Sequence, residues 1–192
     1  MTAEQDVDGG DGHGTVAAIV VAAGAGRRLG AHEPKAFVAI GGEALYVHSV
    51  RAMARSGSVR SVVLVVPDGY AEEAAAALRR VGAAGVAALT VVTGGPSRQA
   101  SVARGLAAID PATRIVLVHD AARALAPPSL IRDVVLAVRA GRSAVVPGVP
   151  PADTVKQVGD PGPSGAQEVR ATLDRARLRM IQTPQGFDRA LL

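Results

Sequence analysis

The sequence predicts an α/β fold: a mostly parallel sheet with helices on both faces. Continuous apolar runs such as AAIVVA, SVVLVV and ALTVVT recur along the chain, as expected of strands that are buried on both sides. Stretches with helical spacing of apolar residues separate these runs. A strict βαβα alternation of this kind indicates parallel strands with crossover helices, which is a Rossmann-like arrangement.

The elements follow one another from about residue 16. The predicted strands are AAIVVA and the ranges 61–66, 88–93, 115–119 and 143–149. The predicted helices are 44–55, a segment with Ala74, Ala77, Leu78 and Val81 on one face, 97–109, and a segment that opens at Pro127-Pro128 and ends at Gly141. Loops rich in glycine or polar residues follow three of the strands, and the topology predicts that they meet at one edge of the sheet.

Two segments fall outside this alternation. Residues 1–14 are rich in Gly and Asp and are predicted to be a disordered tail before one domain, 15–192. Residues 150–173 contain two short β-like runs around the turn-rich GDPGPSG, which predicts a β-hairpin arm. A mobile surface loop is the open alternative for that segment.

The composition restricts the class of protein. The chain has 192 residues, of which 48% are apolar, and no cysteine, so disulfides and thiolate metal sites are excluded. No run reaches the ~18 apolar residues of a membrane span, and no basic and apolar leader opens the chain. A soluble cytoplasmic protein that does not bind membranes is the simplest interpretation.

The charge favours small anionic ligands. The net charge is +4, but the arginines are scattered and aromatic residues make up only 2% of the chain. Nucleic-acid surfaces usually combine a basic patch with stacking aromatic side chains. We therefore expect no nucleic-acid partner.

The first loop, VVAAGAGRRLGAHEPKAF, combines small residues with positive charge. Ala22, Ala23 and Gly24 allow backbone N–H groups to approach a ligand closely. Arg28 and Lys35 supply charge from two points of the same loop. This pattern is typical of a site that neutralises a growing negative charge.

Two common phosphate-binding motifs do not describe this loop. A P-loop requires a Gly-Lys pair, and the chain contains none. Gly24, Gly26 and Gly30 are spaced G-x-G-x-x-x-G, whereas a dinucleotide fingerprint requires G-x-G-x-x-G. A nicotinamide-dependent dehydrogenase is therefore a disfavoured alternative.

The stretch HDAARA adds a carboxylate. Asp120 follows a buried strand and is a plausible Mg²⁺ ligand beside a triphosphate, and Arg123 can bind a second anion. A helix cap or a salt bridge is the alternative role for Asp120. His119 is interpreted as a packed residue at the strand end and not as a base.

Five stretches in order carry a resemblance: AAGAGRRLGAHEPKAF, GGPSRQASVARGL, VLVHDAARAL, ADTVK and LDRARLRMIQTPQGF. Together they resemble the 2-C-methyl-D-erythritol 4-phosphate cytidylyltransferases of the non-mevalonate isoprenoid pathway. The resemblance implies the nucleotide-diphospho-sugar transferase type of fold. It also implies a Mg²⁺-dependent reaction of CTP with methylerythritol phosphate, which gives the cytidine diphosphate ester and pyrophosphate.

The resemblance also implies a role for each matching residue. Catalytic positions are Arg28, Lys35 and Arg175; nucleotide-binding positions are Ala22, Ala23, Gly24, Gly95 and Ser101; positions around the phosphosugar are Arg123, Thr154 and Thr183; and the metal ligand is Asp120. In the family the hairpin reaches across a homodimer, so Thr154 and Arg175 are expected to serve the partner's site.

Two other functions stay open. A ribitol-5-phosphate cytidylyltransferase would share every residue on the nucleotide side. A non-catalytic CTP-binding fragment is the other, because family members continue past FDRALL with an acidic segment and a lysine-bearing strand. The sequence therefore predicts a cytidylyltransferase that resembles the family without its C-terminal segment.

Overall fold

The structure, a computed structural model, describes residues 15–24, 33–82 and 85–192. The strands in chain order are β1 (Val16–Val21), β2 (Ala39–Ile40), β3 (Glu43–Ala44), β4 (Ser61–Val66), β5 (Ala88–Thr93), β6 (Ile115–Asp120), β7 (Ala144–Val145), β8 (Gly148–Val149), β9 (Lys156–Val158), β10 (Val169–Thr172), β11 (Met180–Ile181) and β12 (Gln185–Asp188). The α-helices are α1 (Leu45–Arg55), α2 (Ala71–Val81), α3 (Arg98–Ala107) and α4 (Pro128–Arg139). Short 3-10 helices cover Lys35–Phe37, Arg175–Arg177 and Arg189–Leu191.

Six strands form the main sheet in the order β5-β4-β1-β6-β12-β7. The four strands β5, β4, β1 and β6 are parallel, and β12 is antiparallel to both of its neighbours. In β1 the first five residues are almost fully buried, as their continuous apolar run requires. The predicted mostly parallel sheet is confirmed.

Helices cover both faces of the sheet, as predicted. Alternate residues of β1 point to opposite sides, so Val20 packs with Leu64 and Leu117 in the larger core cluster, which also holds buried residues of α1, α2 and α4. Ile19 packs with Val65 in a second cluster, against which Val102 and Leu106 of α3 lie. The core is therefore built of two apolar layers, one on each face.

The prediction of one strand over 143–149 is wrong. The segment forms two short strands, because Pro147 lies between them and has no N–H to donate to a ladder. The Pro147 carbonyl instead accepts a hydrogen bond from the Gln182 N–H at 2.8 Å. The unpredicted β12 lies between β6 and β7, so β7, the first strand after α4, pairs with β12 and not with β6.

A second unpredicted feature is the β2–β3 hairpin that precedes α1. Its two-residue turn is Gly41-Gly42, with φ of 61° and 81°, and both angles lie in the left-handed region that a tight hairpin turn needs. The predicted helix over 44–55 follows as α1, one residue shorter.

The predicted hairpin within 150–173 is confirmed. Strands β9 and β10 are antiparallel, and Val158 lies opposite Val169. The Lys156 ammonium donates a hydrogen bond to the Thr172 hydroxyl at 2.6 Å. The two paired strands contain only seven residues in total, so most of the predicted range 150–173 is not in a strand. The predicted tail, 1–14, lies outside the described residues.

None of the helices in the described ranges is both long and apolar enough to cross a membrane. The cytoplasmic location stays a prediction.

Candidate active site at the carboxyl edge of the sheet

The strand order reverses at β1. From β1 the chain continues to β4 and β5 on one side and then crosses to β6 on the other side. Val21 and Asp120 are paired at the ends of β1 and β6, so the two following loops leave the sheet side by side. Ligands of open α/β sheets bind in the crevice at such a reversal.

The loops after β1 and β5 touch each other. The Ala22 N–H donates to the Val65 carbonyl at 2.7 Å, and the Gly94 N–H donates to the Val66 carbonyl at 2.7 Å. A Cβ at Gly94 would lie 2.4 Å from the Cβ of Ala23 and 2.9 Å from the Ser101 hydroxyl. Only glycine permits this approach. Of the three predicted nucleotide-binding residues of the first loop, Ala22 is buried, Ala23 half-buried and Gly24 exposed.

The start of α3 holds the second loop in shape. The buried Ser101 hydroxyl accepts a hydrogen bond from the Gly95 N–H at 3.1 Å and lies 2.9 Å from the Ser97 carbonyl, to which it donates. Ser97 caps the helix, since its hydroxyl accepts from the Ala100 N–H at 3.0 Å. Gly95 and Ser101, which were both predicted to bind the nucleotide, therefore form one contact pair at this loop.

Asp120 lies between two arginines. Its Oδ1 is 3.0 Å from both Nε and Nη2 of Arg98, and its Oδ2 is 3.9 Å from Nε of Arg123. The salt bridge that was the alternative role for Asp120 is thus present. The carboxylate is about one-third exposed, so a ligand can still reach it.

A buried hydrogen-bond chain supports Asp120 from below. The Asp120 N–H donates to the Thr183 hydroxyl at 3.2 Å, and the same hydroxyl lies 3.0 Å from Nδ1 of His119. His119 is fully buried, as interpreted from the sequence. Burial lowers the pKa of His119 to about 4, although the Asp120 carboxylate acts in the opposite direction. His119 is therefore neutral at pH 7 and acts as a hydrogen-bonding group.

Asp120 and its contacts Arg98, Arg123, Thr183 and His119 form what we call the Asp120 cluster. Thr183 and Arg123 come to it from different elements. Thr183 is buried and precedes β12, and Arg123 lies in the turn after β6. The Arg123 guanidinium donates to the side-chain oxygen of Gln182. Helix α1 holds the turn after β6 in place, because the buried Ser49 hydroxyl of α1 donates to the Ala121 carbonyl at 3.0 Å.

Lys35 opens the 3-10 helix that follows the first loop, and its side chain is exposed. Phe37, two residues on, packs its ring 4.9 Å from Tyr46 and 4.7 Å from Tyr70. Tyr70 follows the carboxyl end of β4, so Lys35 belongs to the same edge of the sheet. Arg28, the predicted partner of Lys35 in catalysis, lies outside the described residues.

Thr154 and Arg175 belong to the hairpin arm and its base. Both are exposed, and the Arg175 guanidinium donates to the Ala152 carbonyl at 2.9 Å. The hydrogen bonds and ion pairs of the described residues do not join either residue to the Asp120 cluster.

Sequence reasoning missed Arg98 and Gln182. The signal for Arg98 was its place directly after the strand end at Thr93-Gly94-Gly95, where a cation at the start of a helix is unusual. Nothing in the sequence indicates that Gln182 contacts Arg123, because 59 positions separate them.

The donor set for a metal is small. In the ranges that the structure describes, no three His, Asp or Glu side chains form a group that would hold an ion. Mg²⁺ is commonly bound by one or two carboxylates together with substrate phosphates. Asp120, whose Oδ2 accepts no hydrogen bond within the described part of the chain and lies 3.9 Å from Nε of Arg123, fits such a site only in the presence of a phosphate ligand.

Comparison with known proteins points to one family. The family described as 2-C-methyl-D-erythritol 4-phosphate cytidylyltransferase matches residues 16–192. A protein of that name from Streptomyces coelicolor is 51% identical over 92% of this chain, and the chain spans 66% of its length. One from Rhodococcus opacus is 47% identical over 95% of this chain, which spans 75% of that relative.

The solved structures show the same fold. The 4-diphosphocytidyl-2C-methyl-D-erythritol synthase of Anaerococcus prevotii superimposes with a TM-score of 0.78 at 27% identity, over 93% of this chain and 72% of that one. Together with the sequence matches, this shows that the chain belongs to the 2-C-methyl-D-erythritol 4-phosphate cytidylyltransferase family.

Proposed function

We propose that the chain transfers CMP from CTP to 2-C-methyl-D-erythritol 4-phosphate. A phosphate oxygen of the acceptor forms a bond to the α-phosphorus of CTP, the bond from that phosphorus to the β-phosphate oxygen breaks, and pyrophosphate leaves with the electron pair. Family membership over residues 16–192 supports the reaction. The observation that carries it is the position of Asp120 and two arginines at the sheet reversal, beside two close-packed backbone loops.

The nucleotide is proposed to lie across the loops after β1 and β5. Backbone N–H groups of Ala22, Ala23 and Gly24 would hold its phosphates, since small side chains leave the backbone accessible. Gly95 and Ser101 would contact the cytosine and ribose. This assignment is supported by the contact between the two loops at Gly94 and Ala23, which brings both sets of groups to one crevice.

Positive charge is the main catalytic need of this reaction. The acceptor phosphate is already an anion at pH 7, so no side chain has to remove a proton from it. The barrier comes from repulsion between the two anions and from charge that builds up at phosphorus. Lys35 and Arg28 are proposed to stabilise that charge, and Arg123 and Thr183 to bind the acceptor phosphate.

Asp120 is proposed to hold Mg²⁺ together with the nucleotide phosphates. Bound Mg²⁺ would neutralise phosphate charge and polarise the α-phosphoryl group. The role of the chain is to keep the Asp120 carboxylate at the crevice. The hydrogen bond from the Asp120 N–H to the Thr183 hydroxyl, and the bond between that hydroxyl and His119, support this role.

A homodimer is proposed in which Thr154 and Arg175 complete the partner's site. Val158 and Val169 face each other on the arm and are 42% and 54% exposed. An apolar pair this exposed is suited to burial against another chain. Light scattering should give the mass of a dimer, and Val158→Asp should shift it to the monomer. A wild-type monomer at assay concentrations would contradict the shared site.

A pyrophosphate-release assay tests the function. With CTP and Mg²⁺ present, methylerythritol phosphate should support turnover and ribitol 5-phosphate should not. Preference for ribitol 5-phosphate would change the assigned acceptor. CTP binding without pyrophosphate release in the presence of either acceptor would show that the chain is only a nucleotide-binding unit.

A further inference from the structure

Arg98 forms the shortest side-chain contact to Asp120 among the described residues, and no catalytic or binding role has been assigned to it so far. Its Nε and Nη2 both lie 3.0 Å from the same carboxylate oxygen, Oδ1. Its side chain is 51% exposed. Ion pairs with this exposure contribute little to stability and exchange readily with other ligands.

The place of Arg98 in the fold is not explained by helix stability. It is the first residue of α3, directly after the Ser97 cap. The positive end of the helix dipole disfavours a cation there, and the other residues of the first turn carry no acidic side chain to offset it. Asp120 is the anion that offsets the charge of Arg98. The contact with this carboxylate, and not helix stability, therefore accounts for an arginine at this position.

The charge around Asp120 also opposes free metal ions. With Arg123 on the other oxygen at 3.9 Å, one carboxylate lies between two guanidinium groups, and the cluster is net positive. A free divalent cation is repelled by such a cluster, whereas a complex of Mg²⁺ with a nucleoside triphosphate is net negative and is attracted.

We propose that Arg98 is a positioning residue that makes Asp120 accept Mg²⁺ only together with a nucleotide. Without nucleotide, Arg98 occupies Oδ1 and keeps free divalent ions away. When the complex of Mg²⁺ and nucleotide binds, Arg98 moves from the carboxylate to the phosphates, whose charge exceeds that of Asp120. The inference rests on the proposed function, since the nucleotide supplies the charge that releases Arg98.

The test measures binding of Mn²⁺, as a spectroscopic substitute for Mg²⁺, to the full chain without nucleotide. Arg98→Gln should bind Mn²⁺ on the order of tenfold more tightly than the wild type. Arg98→Lys, which keeps the charge, should stay close to the wild type. Arg51→Gln is the matched control, because it breaks a different arginine–carboxylate pair and should give no gain.

Three results would overturn the inference. They are equal Mn²⁺ affinities of wild type and Arg98→Gln, an equal gain in Arg98→Lys, and a gain that persists in the double variant Arg98→Gln/Asp120→Asn. Pyrophosphate release by the wild type is measured separately. A chain without release whose Gln variant gains Mn²⁺ affinity would contradict the proposed function but support the role of Arg98.

Discussion

Two arginine–carboxylate pairs of this chain show how geometry separates a structural contact from one that is proposed to be functional. Arg51 and Glu43 form two parallel bonds, Nη1 to Oε2 at 2.5 Å and Nη2 to Oε1 at 2.7 Å, and both side chains are 29% exposed. Arg98 instead directs two nitrogens to one oxygen of Asp120, and both partners are more exposed.

The difference lies in what is left for another ligand. The planar fork of Arg51 occupies both oxygens of Glu43, and this hydrogen bonding holds the pKa of the Glu43 carboxyl below its ordinary value. The pair ties the β2–β3 hairpin to α1. Asp120 keeps one oxygen, Oδ2, without a hydrogen bond among the described residues, since Arg123 stays 3.9 Å away. It stands at the end of β6, where a ligand can reach it. The same two residue types therefore differ in how much of the carboxylate they leave accessible to a further ligand.

The largest expected effect comes from neutralising each carboxylate in turn. Asp120→Asn should lower the rate of pyrophosphate release on the order of 10³-fold and raise the Mg²⁺ concentration needed for half-maximal rate, because the proposed metal site would lose its protein ligand. Glu43→Gln should leave the rate within about twofold. Equal losses in the two variants, or an unchanged Mg²⁺ titration of Asp120→Asn, would remove the distinction between the pairs.

The two cations of the first loop that are proposed to stabilise charge at phosphorus sharpen the comparison. Lys35→Ala and Arg28→Ala should each reduce turnover on the order of 10²-fold, the size seen when one electrostatic donor to a transition state is lost. The Mg²⁺ titration should keep its midpoint, since Asp120 is intact. Turnover like that of the wild type in both variants would leave the growing charge at phosphorus without these two partners.

His119, which lies beneath Asp120, should make the stability of the folded chain depend on pH. The unfolded chain protonates His119 below about pH 6.5, whereas the folded chain does so only below about pH 4. Unfolding therefore takes up a proton in this window, and the free energy of unfolding falls as the pH drops, by up to about 3 kcal/mol. The charged neighbours Asp120 and Arg123 act on this pKa in opposite directions.

Urea unfolding at pH 7.5 and pH 4.5, with EDTA present, measures this effect. His119→Asn should be less stable than the wild type at pH 7.5 and should show a smaller fall at pH 4.5. A fall as large as that of the wild type would show that other groups cause the acid sensitivity.

The smallest expected effect is the change in thermal stability when the Arg51–Glu43 pair is removed. Arg51→Gln should lower Tm at pH 7 by about 1–3 °C, because the fork is partly exposed to water. The lowered pKa of Glu43 means that its contribution is present above about pH 4.5 and is lost as the pH falls through the folded-state value. The Tm difference should therefore narrow in acid, and a difference that grows in acid would contradict the ion pair as its cause.

Much of the fold follows from local patterns. Strands β1, β4 and β6 are continuous apolar runs and α1, α3 and α4 have helical spacing, so the sequence predicted them nearly to their ends. The loops that meet at the carboxyl edge were predicted for the same reason, since parallel strands end on one side. The β12 strand was missed because Gln185–Asp188 has neither an apolar run nor a clear alternation.

What the sequence alone determined is the set of buried strands, the helices between them and the polar ends of β1, β5 and β6. Only the tertiary structure decided that Arg98 lies on Asp120, that Thr183 joins His119, and that β12 separates β6 from β7. Periodicity arises from neighbours a few residues apart, whereas these contacts join residues 22 and 64 positions apart or strands from distant parts of the chain. Which distant side chains meet depends on how the layers pack, and no local pattern contains that information.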